Sequence, residues 1–125
     1  MYDDLLNNLA SHGYIVIGTM AATFHLCDEE TEDQLRSIEW AKEDKNFAKL
    51  VDWGKKVGLL GFSMGGMATN LSAGHAKKVA DFNIGAAVSL HPYAKEFKPS
   101  LVPVLYTSGA LDIVTPPTFI EGMYL

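Results

Sequence analysis

The chain has 125 residues, of which 48% are hydrophobic and 20% charged, and its formal net charge is −5. The length fits one domain, since domains usually have about 100–150 residues, and the composition is too apolar for a disordered chain. The acidic balance argues against nucleic-acid binding, and no run reaches the ~20 apolar residues of a membrane span. Cys27 is the single cysteine and excludes an internal disulfide. We therefore expect one soluble domain over residues 1–125.

The first part of the chain predicts a helix, a strand and a second helix. Apolar residues recur at helical spacing within residues 2–9, and Gly13 is placed to end that helix, because glycine adopts a left-handed conformation at little cost. Residues 14–17 are short, β-branched and bounded by glycines, which predicts a buried strand. The acidic run at 28–33 is typical of a helix N-terminus, and residues 31–34 fit a capping box.

The rest of the chain alternates strands with helical segments. Strands are predicted at residues 57–60, 84–90 and 102–106, and a helix follows Ser63 and ends at Gly74. The strands are continuous apolar runs, as burial on both faces requires. This alternation predicts an α/β fold in which a mainly parallel sheet carries helices on both faces, as a three-layer αβα sandwich with right-handed crossovers.

A serine between glycines marks the chemically informative segment. Residues 61–66 follow the second predicted strand and precede a helix, which is the Gly-x-Ser-x-Gly pattern of a nucleophile elbow in its required context. Outside that context the pattern would be only a glycine-rich turn. Ser63 is expected in a strained turn with its Oγ above the sheet, and side chains at Gly61 and Gly65 are expected to collide with backbone. The helix would begin at the serine, which makes the Met64 N–H an oxyanion donor.

These residues resemble the α/β-hydrolase superfamily, and more narrowly its dienelactone-hydrolase and PET-hydrolase/cutinase-like branch. The resemblance extends from the helix at Tyr2 to the loop at Pro117. Its second specific part is residues 102–117, where the family has a strand, then Gly-x-x-Asp, then a proline-bearing loop. Asp112 matches the family's triad acid, and the order Ser63 then Asp112 is the one this fold uses. The resemblance implies a partial α/β-hydrolase fold that needs no metal or organic cofactor.

The triad also needs a histidine after the acid, and residues 113–125 contain none. His91 follows the predicted strand at 84–90, at the edge where ligands gather in α/β sheets. The resemblance makes His91 and Tyr93 either pocket residues or part of a structural turn, and a base role for His91 stays open. His12 and His75 are interpreted as solvent-facing or capping residues, and His25, in the loop after the first predicted strand, belongs to no motif.

In the superfamily a further strand precedes the first helix and lies between the strands predicted at 14–17 and 57–60, and its loop supplies a second oxyanion donor. We therefore expect this chain to be the middle of a longer hydrolase, or a degenerate copy, that self-associates through exposed sheet edges. In a longer frame, a histidine is expected ~25–45 residues after Asp112. Because no base is within reach of Ser63, the chain alone is expected to turn over esters close to the background rate.

Two functions follow from these residues. The first is a serine hydrolase of small-molecule carboxylic esters, in which Ser63 attacks the carbonyl, the Met64 N–H holds the oxyanion and Asp112 orients an imidazole. The second is a non-catalytic binding module on a degenerate hydrolase scaffold, which the missing histidine favours. No signal peptide is visible, so the default location is the cytoplasm. Cys27 is interpreted as a buried small hydrophobe.

Overall fold

Three parallel strands form the centre of the fold. In the computed structural model the described residues are 2–19, 27–93 and 98–123, with the side chains of 27–30 left aside. The strands are β1 (Val57–Phe62), β2 (Ile84–Leu90) and β3 (Val104–Thr107), paired in the order β1-β2-β3. The helices of the described ranges are α1 (Asp3–Ser11), α2 (Cys27–Glu43), α3 (Met64–Ala73), α4 (Ala76–Asp81) and α5 (Pro117–Glu121), with a 3₁₀ turn at Ala48–Leu50. The predicted parallel α/β architecture is confirmed.

One face of the sheet is well covered. The register aligns Leu59 with Ala87 and Ala87 with Val104, so these side chains share a face. α3 lies against β1 and β2 on this face, and α2 packs against α3. The buried residues of the hydrophobic core form one cluster: Leu35, Ile38, Leu59, Ala73, Phe82, Ile84 and Ala87. The hydrophobic core therefore lies between this face of the sheet and the α2–α3 layer.

The opposite face is more open. Alternate residues of the strands point there, among them Phe62 and Leu105, which are 46% and 59% exposed. α1 approaches this face at one place, where the Tyr2 ring lies 5.8 Å from the Phe62 ring. None of the residues of α1 is buried. The side of the sheet that α1 faces thus keeps apolar surface in contact with solvent.

The predicted strand at residues 14–17 is wrong. These residues form no regular element, and their four side chains are exposed. β1 pairs with β2 on one side only, and within the described ranges no strand lies along its other edge. A β-branched run becomes a strand only where a neighbouring strand accepts its backbone hydrogen bonds. Residues 14–17 have no neighbouring strand in the described ranges and therefore stay irregular, while β1 keeps one edge unpaired.

Helix ends differ from the prediction at α2 and agree at α1. α2 begins at Cys27, so Thr31 lies one turn inside the helix and does not cap it, and the acidic run fills its first turns instead. α1 ends at Ser11, and Gly13 adopts φ 86°, as predicted. β3 begins at Val104, two residues after the predicted start, because the preceding proline has no N–H to pair.

Two histidines act as predicted at helix ends. His12 is exposed next to α1, with its Nδ1 2.8 Å from the Asn8 carbonyl oxygen. His75 is exposed and accepts a hydrogen bond from the Lys78 N–H at the start of α4, a helix that sequence analysis missed. His25 and the side chain of Cys27 fall outside the described part of the chain. Nor does any helix within that part have the length and apolar character to cross a bilayer.

We expect the chain to self-associate through the free edge of β1 and the open face of the sheet. Its weight-average mass in sedimentation experiments should rise as concentration increases from about 10 to 500 µM, because unpaired edges and apolar faces seek partners. Leu105→Glu should reduce this rise by placing a charge on the open face. Leu50→Glu is the matched control, since Leu50 is 68% exposed but lies outside the sheet. A constant monomer mass over the whole range would contradict the expectation.

Candidate active site

Ser63 occupies the turn that joins β1 to α3. Its φ is 54°, in the left-handed region that a residue other than glycine rarely adopts, and such a conformation costs roughly 1–3 kcal/mol. Two backbone hydrogen bonds maintain it. The Ser63 N–H donates to the Leu90 carbonyl at 2.9 Å, and the Tyr93 N–H donates to the Ser63 carbonyl at 3.0 Å. The serine turn is therefore fixed to the segment that follows β2.

The glycines around Ser63 are needed for close backbone packing. A Cβ at Gly61 would lie 2.0 Å from the Gly65 carbonyl oxygen, and a Cβ at Gly66 would lie 3.0 Å from the Leu90 carbonyl oxygen. A Cβ at Gly65 would meet nothing within 4 Å. The predicted collision is thus confirmed at Gly61 and wrong at Gly65, because it is the backbone of Gly65 that crowds Gly61. The buried Ser89 hydroxyl donates to the Gly66 carbonyl at 2.8 Å and holds this packing in place.

The N-terminus of α3 lies directly after the serine. Met64 is the first residue of the helix, and an amide at that position has no carbonyl one turn earlier to bond. The Met67 N–H donates to the Ser63 carbonyl at 3.1 Å and begins the helical pattern. The partial positive charge of a helix N-terminus therefore lies beside Ser63, where it can stabilise a negative oxygen.

His91 follows β2 in a second strained turn. Its φ is 45°, and its N–H donates to the Thr107 carbonyl at 2.9 Å, at the end of β3. The imidazole ring lies 5.6 Å from the Phe62 ring, with the two planes at 44°. The segment from 91 to 93 is thus bonded to the ends of both neighbouring strands, and Tyr93 is joined to Ser63 by its backbone.

Both oxygens of the Asp112 carboxylate have hydrogen-bond partners. Its Oδ1 accepts from the N–H groups of Val114 and Thr115, both at 2.9 Å. Its Oδ2 accepts from the Thr115 hydroxyl at 2.7 Å and lies 3.2 Å from the Nδ1 of His91. The Thr115 amide and hydroxyl, followed by the Val114 amide and His91, hold the pKa of Asp112 well below its ordinary value. The carboxylate is therefore ionised at neutral pH and only accepts hydrogen bonds.

The structure brings the predicted residues Ser63, His91 and Asp112 to one edge, because each follows a different strand of a parallel sheet. Two contacts of Asp112 were missed by sequence analysis. The bonds to Thr115 had a signal, since an Asp followed three residues later by Thr is typical of a local side-chain-capped turn. The contact with His91 had none, because it depends on β2 and β3 being neighbours. No group of three or more metal-ligating side chains occurs in the described residues.

Comparisons with known proteins point to the same architecture. A family model described as PETase, PET hydrolase-like, matches residues 4–121. Among solved structures, the chain is similar to XC6422 from Xanthomonas campestris, described as an α/β serine hydrolase without a lid, at 21% identity and a TM-score of 0.57. The match covers 87% of this chain and 46% of that one, so the chain spans just under half the length of that structure. No curated protein matches the sequence.

Gly61→Ala is expected to destabilise the chain strongly. The new Cβ would overlap the Gly65 carbonyl, so backbone must move, and overpacking of this kind lowers the free energy of unfolding by about 1–3 kcal/mol or more. Urea unfolding measures the effect. Gly58→Ala is the matched control, since it is in the same strand and its Cβ would meet nothing within 4 Å. Equal urea midpoints for the two variants would contradict the packing described for Gly61.

Asp112 should stabilise the fold only above acidic pH. Its lowered pKa means that the folded state favours the ionised carboxyl, so the contribution is complete above the unfolded pKa and is lost as pH falls towards the folded pKa. The difference in free energy of unfolding between the wild type and Asp112→Asn should be constant above about pH 5 and shrink at lower pH. Urea unfolding from pH 7 to 2.5 tests this, and a pH-independent difference would refute it.

Proposed function

The chain belongs to the PET hydrolase-like family, and on that basis we propose that it is an α/β serine hydrolase acting on carboxylic esters. One observation carries the proposal: Ser63 lies in a strained turn with the N-terminus of α3 directly after it. A hydroxyl there faces a region in which amide hydrogens can stabilise a developing negative charge. Attack on a carbonyl carbon is the reaction that needs both features together.

The proposed roles follow from position. Ser63 Oγ attacks the ester carbonyl and forms an acyl-enzyme, which water then hydrolyses. The Met64 N–H donates to the oxyanion, and a donor of this kind lowers the barrier by about 3–4 kcal/mol. Asp112, which is ionised and rigidly bonded, holds an imidazole in one orientation and stabilises its charged form. No metal or organic cofactor takes part in this scheme.

The surroundings favour an apolar ester. Leu111 and Ile113 flank Asp112 and are both 94% exposed, and Phe62, which precedes Ser63, is 46% exposed. Exposed apolar side chains that adjoin the proposed acid and nucleophile along the chain favour binding of alkyl or aryl groups, since burying them removes apolar surface from water. A small apolar carboxylic ester is therefore the proposed substrate class.

An activated fluorophosphonate probe tests the proposal. Because one acylation by an activated probe does not require turnover, we expect Ser63 to be labelled in the folded 125-residue chain, as located by peptide mass spectrometry, and no label in Ser63→Ala or in urea-unfolded protein. Asp112→Asn should slow this labelling, because the acid of a triad orients the imidazole and stabilises its charged form. Asp44→Asn is a matched control, because Asp44 accepts from the N–H groups of Asn46 and Phe47 in a similar turn at the end of α2.

The opposite result identifies the second candidate. A folded sample in which Ser63 remains unlabelled, or in which Ser63→Ala is labelled equally, contradicts the serine-hydrolase proposal. That result would favour the non-catalytic binding module on a hydrolase scaffold.

A further inference from the structure

Thr115 holds both oxygens of the Asp112 carboxylate. Its N–H donates to Oδ1 at 2.9 Å, and its hydroxyl donates to Oδ2 at 2.7 Å. We propose that Thr115 is a positioning residue for the acid, whose hydroxyl fixes the rotation of the carboxylate so that Oδ2 offers its remaining acceptor position to an imidazole. This inference rests on the proposed serine-hydrolase function, in which Asp112 orients an imidazole, and it adds the residue that orients Asp112.

Hydrogen bonds within the turn take up most of the carboxylate. An ionised carboxylate has two oxygens with about two acceptor positions each. The amides of Val114 and Thr115 occupy Oδ1, and the Thr115 hydroxyl occupies one position of Oδ2. Among the described residues, the remaining contact is with the His91 Nδ1, 3.2 Å from Oδ2. The turn therefore leaves Oδ2 as the oxygen that accepts from a ring on another segment of the chain.

The Thr115 hydroxyl is the group of the turn that restrains Oδ2 directly. Both amide bonds go to Oδ1, so they restrain the other oxygen only through the carboxylate itself. A threonine has few accessible side-chain rotamers because its Cβ is branched, and Thr115 is buried, with 4% of its surface exposed. Its hydroxyl therefore stays directed at Oδ2 and keeps the carboxylate plane in one orientation.

Two prolines restrict the backbone that carries this hydroxyl. Pro116 has φ −65° and ψ 155° at the N-cap of α5, and Pro117 is the first residue of that helix. A residue that precedes a proline is largely confined to extended conformations. α5 also buries Ile120, which anchors the segment after the prolines. The N–H and the hydroxyl of Thr115 are therefore presented to Asp112 by a segment with little freedom to move.

The same contacts favour the charged form of the acid. The amide and the hydroxyl of Thr115 contribute more than the Val114 amide or His91 to holding the pKa of Asp112 below its ordinary value. The acid of a triad has to stay ionised in order to stabilise an imidazolium. Thr115 therefore supports both the orientation and the charge on which the proposed role of Asp112 depends.

Thr115→Val tests the role of the hydroxyl. Valine keeps the branched shape and the backbone N–H but cannot donate to Oδ2. In carbon-13 NMR of the full 125-residue chain, the Asp112 carboxyl should titrate about one pH unit higher than in the wild type, as loss of a hydrogen bond to a charged group predicts. Thr115→Ser keeps the hydroxyl and should titrate as the wild type does. Thr118→Val is the control, because Thr118 is exposed in α5 and makes none of the contacts described for the carboxylate.

Labelling of Ser63 by the fluorophosphonate probe connects this contact to the reaction. Thr115→Val should slow labelling by a smaller factor than Asp112→Asn does, and Thr115→Ser should label at close to the wild-type rate. In the Asp112→Asn background, Thr115→Val should cause no further slowing, since a positioning residue acts through the group that it positions. Urea unfolding of each variant shows whether the fold is kept.

Three results overturn the positioning role and leave the serine-hydrolase proposal intact. The first is an Asp112 titration that is unchanged in Thr115→Val or shifted equally in Thr115→Ser. The second is wild-type labelling by Thr115→Val. The third is equal slowing by Thr115→Val with and without Asp112→Asn, because that result describes an effect on the fold. Absence of Ser63 labelling in the folded wild type would instead refute the proposed function, and with it the catalytic purpose of this contact.

Discussion

The backbone of Ser63 is hydrogen-bonded twice to the end of β2, once from its N–H to Leu90 and once to its carbonyl from Tyr93. This pair of bonds compensates for the left-handed conformation of the serine and sets the direction in which α3 leaves the sheet. The same segment is bonded to β3 through the His91 N–H. The serine turn and the end of β3 are therefore positioned relative to one short stretch of chain, residues 90–93. The site depends on backbone contacts between adjacent strands more than on the surrounding side chains.

Local features were predicted well from the sequence. β2 was placed correctly because residues 84–90 are a continuous apolar run, and the turn at Ser63 was predicted because glycines and a following helix define it locally. The strand at 14–17 was wrong because a strand needs a partner, which no local pattern reports. The contact between His91 and Asp112 was missed for the same reason, since it joins residues 21 positions apart through the order of the strands. What sequence analysis could not supply was pairing between distant segments.

The candidate site and the exposed apolar surface of the sheet lie at different places on it. The groups of the candidate site lie at the carboxyl edge of β1, β2 and β3, which are paired with one another and backed by α3. The open edge of β1 and the exposed face around Leu105 lie elsewhere on the same sheet. The unpaired edge of β1 is therefore not among the contacts that hold the Asp112 carboxylate and the serine turn in place.

The position of the Asp112 carboxylate does not depend on which side chains stand at residues 111 and 113. The carboxylate bonds to backbone amides of Val114 and Thr115 and to the Thr115 hydroxyl, and it uses no side-chain atom of Leu111 or Ile113. Those two side chains project almost wholly into solvent. Amino-acid changes at 111 and 113 can therefore alter the exposed surface next to Asp112 without moving the carboxylate. This makes the pair suitable positions for a combinatorial library that varies the apolar surface next to the carboxylate.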